Sequence, residues 1–490
     1  MRSQEYLPPT VKQFLLLFLL FVFINSSCKK SADKELIPTR FRFAADLTLT
    51  PTERKADSIL NDFRAELLTR KGSNWALFTS FAGSKEEIQQ EPLYRIFKEM
   101  PKGGMLHIHA SATADVKWLI ELALSTPDCY IYWGAETDSA LTGQLKFFPD
   151  HNIPAGWLPI HQLYEKNPHL PSELFRLYTF GPEDEYRTDI WTEFEKMFSR
   201  VDGFISYRPV FLKYYQHSFE ILAADGIQFV ELRTSFDPIL NEDGTYTGDG
   251  ALVSLYQKVL QQVKLNYPSF TATMIVCSWR GASLNEVNVS IEKTAKLHSD
   301  FPEMIVGFDL VGEEELGHSN GFYTPSLLKS PVPLFLHGGE SLSASNFNIL
   351  DAVNLHAPRI SHAINLFYFP DLVSTLISNK TLLELCPISN QSLHYVRDFR
   401  LHPARGYLQK GIQATLGSDD PTFMQSQGLT DDYFVAYLAW GIDLNSLKKL
   451  MLNSIICSGQ SPSLKQHQLD FFISSWNHFI LDVNLKKSSK

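Results

Sequence analysis

Apolar and polar positions along this chain follow two alternating rhythms. From residue 105 onward, short apolar runs recur at 105–109, 227–234, 271–278, 304–311, 332–337, 359–363, 381–386 and 412–418. Runs of this length without polar alternation suit strands buried on both faces, as in a parallel sheet. Stretches with helical spacing lie between most of them, for example at 250–267, 284–299 and 346–357. Alternating strands and helices place the chain in the α/β class, and eight such units predict a closed (β/α)8 TIM-type barrel.

Three regions stand outside that rhythm. Residues 51–100 read as an N-terminal helical extension. Thr52-Glu53-Arg54-Lys55 starts a helix with Ile59, Phe63, Leu67 and Leu68 on one face, and a second helical stretch over 85–100 stops at Pro101-Lys102-Gly103-Gly104. Residues from about 125 to 200 are too many for a simple strand-to-helix connection. They are rich in proline and aromatic residues, including Trp133, Trp157 and Trp191, and read as an insertion after the first strand that ends in a helix over 189–200. From residue 431 the chain is helical again, with Phe434, Tyr437, Leu438 and Ile442 as its apolar repeat.

The N-terminus has a different character. Lys12 precedes an apolar run over 14–24, followed by Asn25-Ser26-Ser27-Cys28 and Lys29-Lys30. The run is short for a membrane span and has the size of a signal-peptide core. Small residues before a cysteine resemble a bacterial lipoprotein signal, with residues 1–27 removed and Cys28 carrying the lipid anchor. Asn25 departs from the usual leucine, and an ordinary signal peptide or a retained anchor is the alternative. Either way the chain is expected to be exported, as a lipoprotein in the periplasm or at the outer membrane or cell surface. Residues 28–50 read as a tether, and 101–490 as the barrel with its insertion.

Composition narrows the chemistry. The 490 residues are 44% hydrophobic, ample for a large core, and the formal net charge of −10 argues against a nucleic-acid partner. Beyond Cys28 there are four cysteines, Cys129, Cys277, Cys386 and Cys457, too widely spaced for a disulfide framework or a Cys-x-x-Cys metal site. Cys277 and Cys386 sit in apolar runs and read as small buried hydrophobes.

The candidate chemistry lies where the strands end, the face that builds the active site of such a barrel. In His107-Ile108-His109 the two imidazoles point to the same side of a strand. By itself this pair is a weak signal and also describes two buried, hydrogen-bonded histidines. The fifth run ends in His337-Gly338-Gly339-Glu340, the sixth in Ser361-His362, and the eighth in Gly417-Ser418-Asp419-Asp420-Pro421. Adjacent acids beside an apolar strand repel and are costly to bury without a cation, although Asp420 alone also suits a helix cap before Pro421. Three histidines and one aspartate leave a coordination position for water, the donor set of a catalytic zinc.

These residues resemble a known family. Residues 100–109, Val306-Gly307-Phe308-Asp309-Leu310-Val311-Gly312-Glu313-Glu314, the 337–340 turn, Arg359-Ile360-Ser361-His362, 384–390 and 418–421 are similar, in order, to motifs of the secreted adenosine deaminases, also called adenosine deaminase-related growth factors. The resemblance spans about residues 50–460. It implies zinc-dependent deamination of adenosine and 2′-deoxyadenosine to inosine and ammonia, with one zinc per chain on His107, His109, His337 and Asp419. It implies that His362 orients the attacking water and accepts its proton, and that Glu340 protonates the purine at N1. It further implies that Asp420 accepts a hydrogen bond at the N7 side, that the Gly312 backbone approaches N3, and that Trp191 closes over the nucleoside unless it is a core residue. The 51–100 helices would then form a dimerisation element of a homodimer.

One departure stands out. The family usually has an aspartate after the second histidine, where it fixes the ribose, and here His109 is followed by Ala110-Ser111-Ala112. Ser111 retains a hydroxyl, but the carboxylate is absent unless Asp115 replaces it. The departure opens a second reading, a barrel amidohydrolase acting on a modified purine or another amine. A third, a surface lipoprotein that binds without catalysis, predicts a broken donor set, whereas all six expected ligands and catalysts are present. The cytidine-deaminase type is excluded, since neither His-x-Glu nor Pro-Cys-x-x-Cys occurs.

Overall fold

The computed structural model describes residues 41–137 and 139–486. Eight strands run parallel: β1 (Gly103–His109), β2 (Ile227–Thr234), β3 (Thr271–Trp279), β4 (Ile305–Val311), β5 (Phe335–Gly338), β6 (Arg359–His362), β7 (Leu382–Leu385) and β8 (Gln413–Leu416). β1 to β4 pair in sequence, and so do β5 to β8. Two single-residue parallel bridges, Phe308 with Leu334 and Ile108 with Asp419, join the two sets. At the second seam the His109 amide donates to Asp419 O (3.0 Å) and the Asp419 amide to His107 O (3.2 Å). The ring of the (β/α)8 barrel is thus closed by the backbone of the candidate metal ligands themselves.

The strands are buried along almost their whole length, as the uninterrupted apolar runs require. Several are shorter than those runs. The fifth begins at Phe335 because Pro331 and Pro333 lack amide donors for a ladder. The predicted helices appear as Asp249–Val263, Leu284–Asp300 and the shorter Asn348–Asn354.

The N-terminal extension begins at Pro51, as its sequence suggests. Helix Pro51–Lys71 is closed by a capping box between Thr50 and Glu53. Its buried stripe is Ala56, Leu60, Phe63 and Leu67. Ile59 and Leu68 are only half-buried flanks, a correction to the expected face. The buried Glu53 carboxylate accepts from Trp476 Nε1 (2.8 Å) and Lys448 Nζ (2.5 Å), so the helix packs on the C-terminal helices Leu444–Ile456 and Pro462–Leu485 of its own chain. The single helical stretch expected over 85–100 is two helices, Phe81–Ile88 and Pro92–Glu99, because Pro92 opens a new first turn.

Residues between β1 and β2 hold a three-stranded antiparallel sheet, with Tyr130–Tyr132 between Leu145–Lys146 and Trp157–Pro159. Helices Ile160–Lys166, Leu170–Tyr178 and Ile190–Ile205 follow. Helix Thr430–Trp440 is buried at every position, so its periodicity marks no single face. It ends before Ile442, at Gly441 in the left-handed region. Among the described residues no helix is long and apolar enough to cross a membrane. The signal, lipidation and most of the tether segment at residues 1–40 lie outside the described residues.

Candidate active site

His107 is fully buried near the end of β1, pointing into the barrel. Its Nδ1 lies 2.9 Å from both Glu384 Oε2 on β7 and Ser361 Oγ on β6, and its Nε2 lies 3.0 Å from Asp419 Oδ1. His109 Nε2 lies 3.2 Å from the same oxygen. On β5, His337 Nδ1 lies 2.8 Å from Asp309 Oδ2 of β4. Each of His107 and His337 therefore has one ring nitrogen fixed by a buried carboxylate and the other free to face the centre, the arrangement that orients metal-ligating histidines.

The two orienting carboxylates belong to one buried network. Arg233 on β2 donates from Nε to Asp309 (2.8 Å) and from Nη2 to Glu384 (2.8 Å), and Arg359 Nε lies 2.7 Å from Glu384 Oε1. Burial alone would push Asp309 upward, yet His337 and Arg233 hold it far below the usual carboxylate range. Glu384 is held down similarly by Arg359, Arg233 and His107. Both stay ionised, which keeps the imidazoles in a fixed tautomer.

The centre is poised for a cation. Ligand atoms of His107, His337, His362 and Asp419 lie within 4.8 Å of one another, as do those of His109, Asp419 and Asp420. Burial pushes His337 and His362 below the ordinary imidazole value and His109 down to about 4, favouring the neutral form that binds metal. His107 departs in the other direction, because Asp419 and Glu384 outweigh its burial and Arg233. Its Nε2 and Asp419 Oδ1 are both acceptors at 3.0 Å once Nδ1 carries the proton, so a proton or a metal must lie between them. His362 Nε2, Glu340 Oε1 and Asp420 Oδ1 are buried without hydrogen-bond partners. Unpaired polar atoms are costly to bury, and these three, gathered around one centre, are groups that a ligand or water there would satisfy.

Some of the positive-φ backbone of the described residues lies here. His362, Ala363 and Asp419 all hold positive φ (64°, 53° and 61°) without being glycine, a conformation kept only where the surroundings impose it. Gly339 has φ of 81°, and a Cβ there would lie 2.3 Å from Asn365 Oδ1. The turn it allows is held by the Glu314 carboxylate, which accepts from the Gly339 and Glu340 amides (3.1 and 3.2 Å). Glu340 is thereby brought 3.4 Å from His362 Nδ1. Burial first, then Asp419, Glu314 and Glu315, raise Glu340 well above the usual range, so it stays protonated. Asp420 is raised by burial and by Asp419.

These groups line one end of a cavity of about 660 Å³, a size suited to a small-molecule ligand. Trp191, Phe194, Phe198, Trp279 and Gly312 form its walls, and Ser111, Asp202, Ser206, Ser235 and Asp237 give it a polar side. Gly312 has φ of 109°, and a Cβ would meet the Trp279 ring at 3.1 Å, so side chains are excluded there on two counts. Trp191 is half-buried and donates from Nε1 to Tyr395 Oη (2.7 Å). Asp115 does not line this cavity. It caps helix Val116–Ser125 by accepting from the Trp118 amide (3.0 Å), so it is not the missing ribose carboxylate. All ten residues singled out from the sequence meet here: eight line the cavity, and His107 and His362 lie behind it, grouped with His337 and Asp419.

Sequence reasoning missed Arg233, Asp309, Glu384 and Asp202. The first three had a readable signal, a charge inside an otherwise apolar run, which is stable only when paired. Asp202 had none, being one of several acids on an amphipathic helix.

A closed parallel barrel with buried histidines and an aspartate converging at the C-terminal mouth defines a metal-dependent hydrolase. The sequence model for adenosine deaminase matches residues 183–471. Adenosine deaminase 2 of Homo sapiens is 30% identical over 433 residues, covering 83% of each chain, and that of Dictyostelium discoideum is 28% identical over 454 residues, covering 89% of this chain and 83% of its own. Among solved structures, a zinc-bound amidohydrolase from Burkholderia ambifaria superposes with a TM-score of 0.59 at 14% identity, over 80% of this chain and 95% of its own. An Arabidopsis ADAL complexed with IMP gives 0.56 at 15%, over 78% and 99%. The chain belongs to the adenosine deaminase family.

Proposed function

We propose that this enzyme hydrolyses adenosine and 2′-deoxyadenosine to the corresponding inosines and ammonia, using one zinc held by His107, His109, His337 and Asp419. The observation that carries this reading is the convergence of three imidazoles on Asp419, two of them oriented from behind by Glu384 and Asp309. Nitrogen and oxygen donors of this kind suit zinc and leave a position open. When bound, the metal supplies the Lewis acidity that makes water nucleophilic at neutral pH.

The remaining steps belong to the chain's own residues. His362, neutral and with Nε2 unpartnered, orients the attacking water and takes its proton. Glu340, protonated by its surroundings, donates to N1 of the purine and makes C6 electrophilic. Water adds at C6, the 6-amino group takes a proton and leaves as ammonia. Purine N7 is an acceptor, so Asp420 must be the donor, which its raised pKa permits. This reverses the direction expected from the sequence. The Gly312 backbone approaches N3, Trp191 covers the nucleoside, and Ser111 offers its hydroxyl to the sugar.

The proposal extends to the ends of the chain: export directed by residues 1–27, a lipid anchor at Cys28, and pairing of two copies through residues 51–100. The apolar stripe of helix Pro51–Lys71 is covered by its own chain, so such a pair would use its outer, polar side. The test of the activity is ammonia release by the metal-loaded protein from a panel of amino-purines and other amines. Turnover of adenosine or 2′-deoxyadenosine is the expected result. Turnover of another amine with neither of these would replace the reading by the wider amidohydrolase one.

A further inference from the structure

We propose that Asp202 is the sugar-binding carboxylate of this enzyme, acting with Ser111 on the ribose hydroxyls and selecting free nucleosides against nucleoside 5′-phosphates. The inference rests on the deaminase reading and assigns the substrate's other half. Helix Ile190–Ile205 presents Trp191, Phe194, Glu195, Phe198, Ser199 and Asp202 to the cavity, one stripe at helical spacing. Asp202 ends that stripe about 16 Å along the axis from Trp191. There Ser111, two residues beyond His109, lines the same cavity, close enough for its side chain to favour the ionised carboxylate. A carboxylate from a neighbouring helix thus stands where the strand itself offers only Ala110 and Ser111, and Asp115 is committed to a helix cap.

Asp202 is exposed and lines the cavity. Desolvation by the surrounding protein and the charge of Asp237 outweigh Ser111 and push its carboxyl up to about 6, so the ionised form still predominates at neutral pH. Among the described residues no cation stands within ion-pair distance of it, which leaves its acceptor capacity for a ligand. A sugar hydroxyl supplies a donor, whereas a phosphate supplies none. The same wall carries Glu195 and Asp237, and among the described residues its one Lys or Arg side chain, Arg233, is already bonded to Asp309 and Glu384. A 5′-phosphate therefore meets negative charge with no available partner.

The test compares the metal-loaded wild type with Asp202→Ala and Asp202→Asn on adenosine, 2′-deoxyadenosine, 3′-deoxyadenosine and AMP, together with calorimetric binding of inosine. Loss of hydrogen bonds to a charged acceptor should raise KM for adenosine about 10- to 100-fold in Asp202→Ala while kcat changes little. Inosine binding should weaken in parallel, Asp202→Asn should recover part of the loss, and the penalty should shrink for the deoxynucleoside lacking the hydroxyl that is read. The preference for adenosine over AMP should narrow in both variants. Unchanged KM, inosine affinity and sugar preference in both variants would overturn the assignment. If the wild type released no ammonia from adenosine, the deaminase reading would fail, and inosine binding would still decide the role of Asp202.

Discussion

The two ends of the cavity are built from different material. At the metal end, His107, His109, His337, His362 and Asp419 sit at the tips of barrel strands or just beyond them, and Asp309, Glu384 and Arg233 support them from inside the ring. Strand pairing fixes every one of these positions, and the closing seam runs through the candidate ligands' own backbone. At the sugar end the polar groups come from a short turn after β1 and from a helix of the segment between β1 and β2. Nothing in the ring dictates what stands there. The chain can therefore lose a carboxylate next to His109 and regain one at Asp202 without disturbing the chemistry at C6.

Substitutions should separate the two ends. The largest effect is expected for Glu340→Gln, which keeps the shape but removes the proton donor. kcat should fall about 10²- to 10⁴-fold with KM for adenosine nearly unchanged, measured by steady-state ammonia release. A rise in KM with kcat preserved would break the division between the ends. Next comes Asp309→Asn, which never touches substrate but loosens His337. Metal affinity should drop about 10- to 100-fold in a chelator competition, with sugar preference intact.

Smaller effects are expected away from both ends. Glu53 joins the N-terminal helix to Lys448 and Trp476. Burial raises its pKa, but those hydrogen bonds and the Thr50 cap outweigh burial, and the net shift is downward. A depressed carboxylate stabilises the fold above its ordinary value near 4.5, and that contribution is lost as pH falls through the lower folded-state value. Glu53→Gln should cost about 2 kcal/mol in chemical denaturation at neutral pH. The difference should close in acid, and kcat and KM should stay constant. Asp115→Ala should cost ~1 kcal/mol through the lost helix cap and leave KM unaltered. A KM change there would return the ribose contact to the β1 loop.

The same contrast explains what the sequence made legible. The eight apolar runs located the strands because burial on both faces forbids polar residues except where they are paired. The exceptions, Glu384 in Leu382–Leu385 and Asp309 in Ile305–Val311, were visible but unassigned, since pairing between distant strands leaves no local trace. The ends of the short strands were overrun, because apolar residues continue into buried turns. The break between Phe81–Ile88 and Pro92–Glu99 was encoded by Pro92 and overlooked. Asp202 was invisible: its meaning depends on which helix face meets the cavity, and only the fold decides that.

The central claim, that this barrel mouth works through a single zinc, is tested most directly by titration. The protein is stripped with a chelator and zinc is added back while ammonia release from adenosine is followed. The account predicts negligible turnover in the stripped chain and a linear recovery that saturates at one zinc per chain. Full turnover without added metal, or saturation only at two per chain, would contradict it.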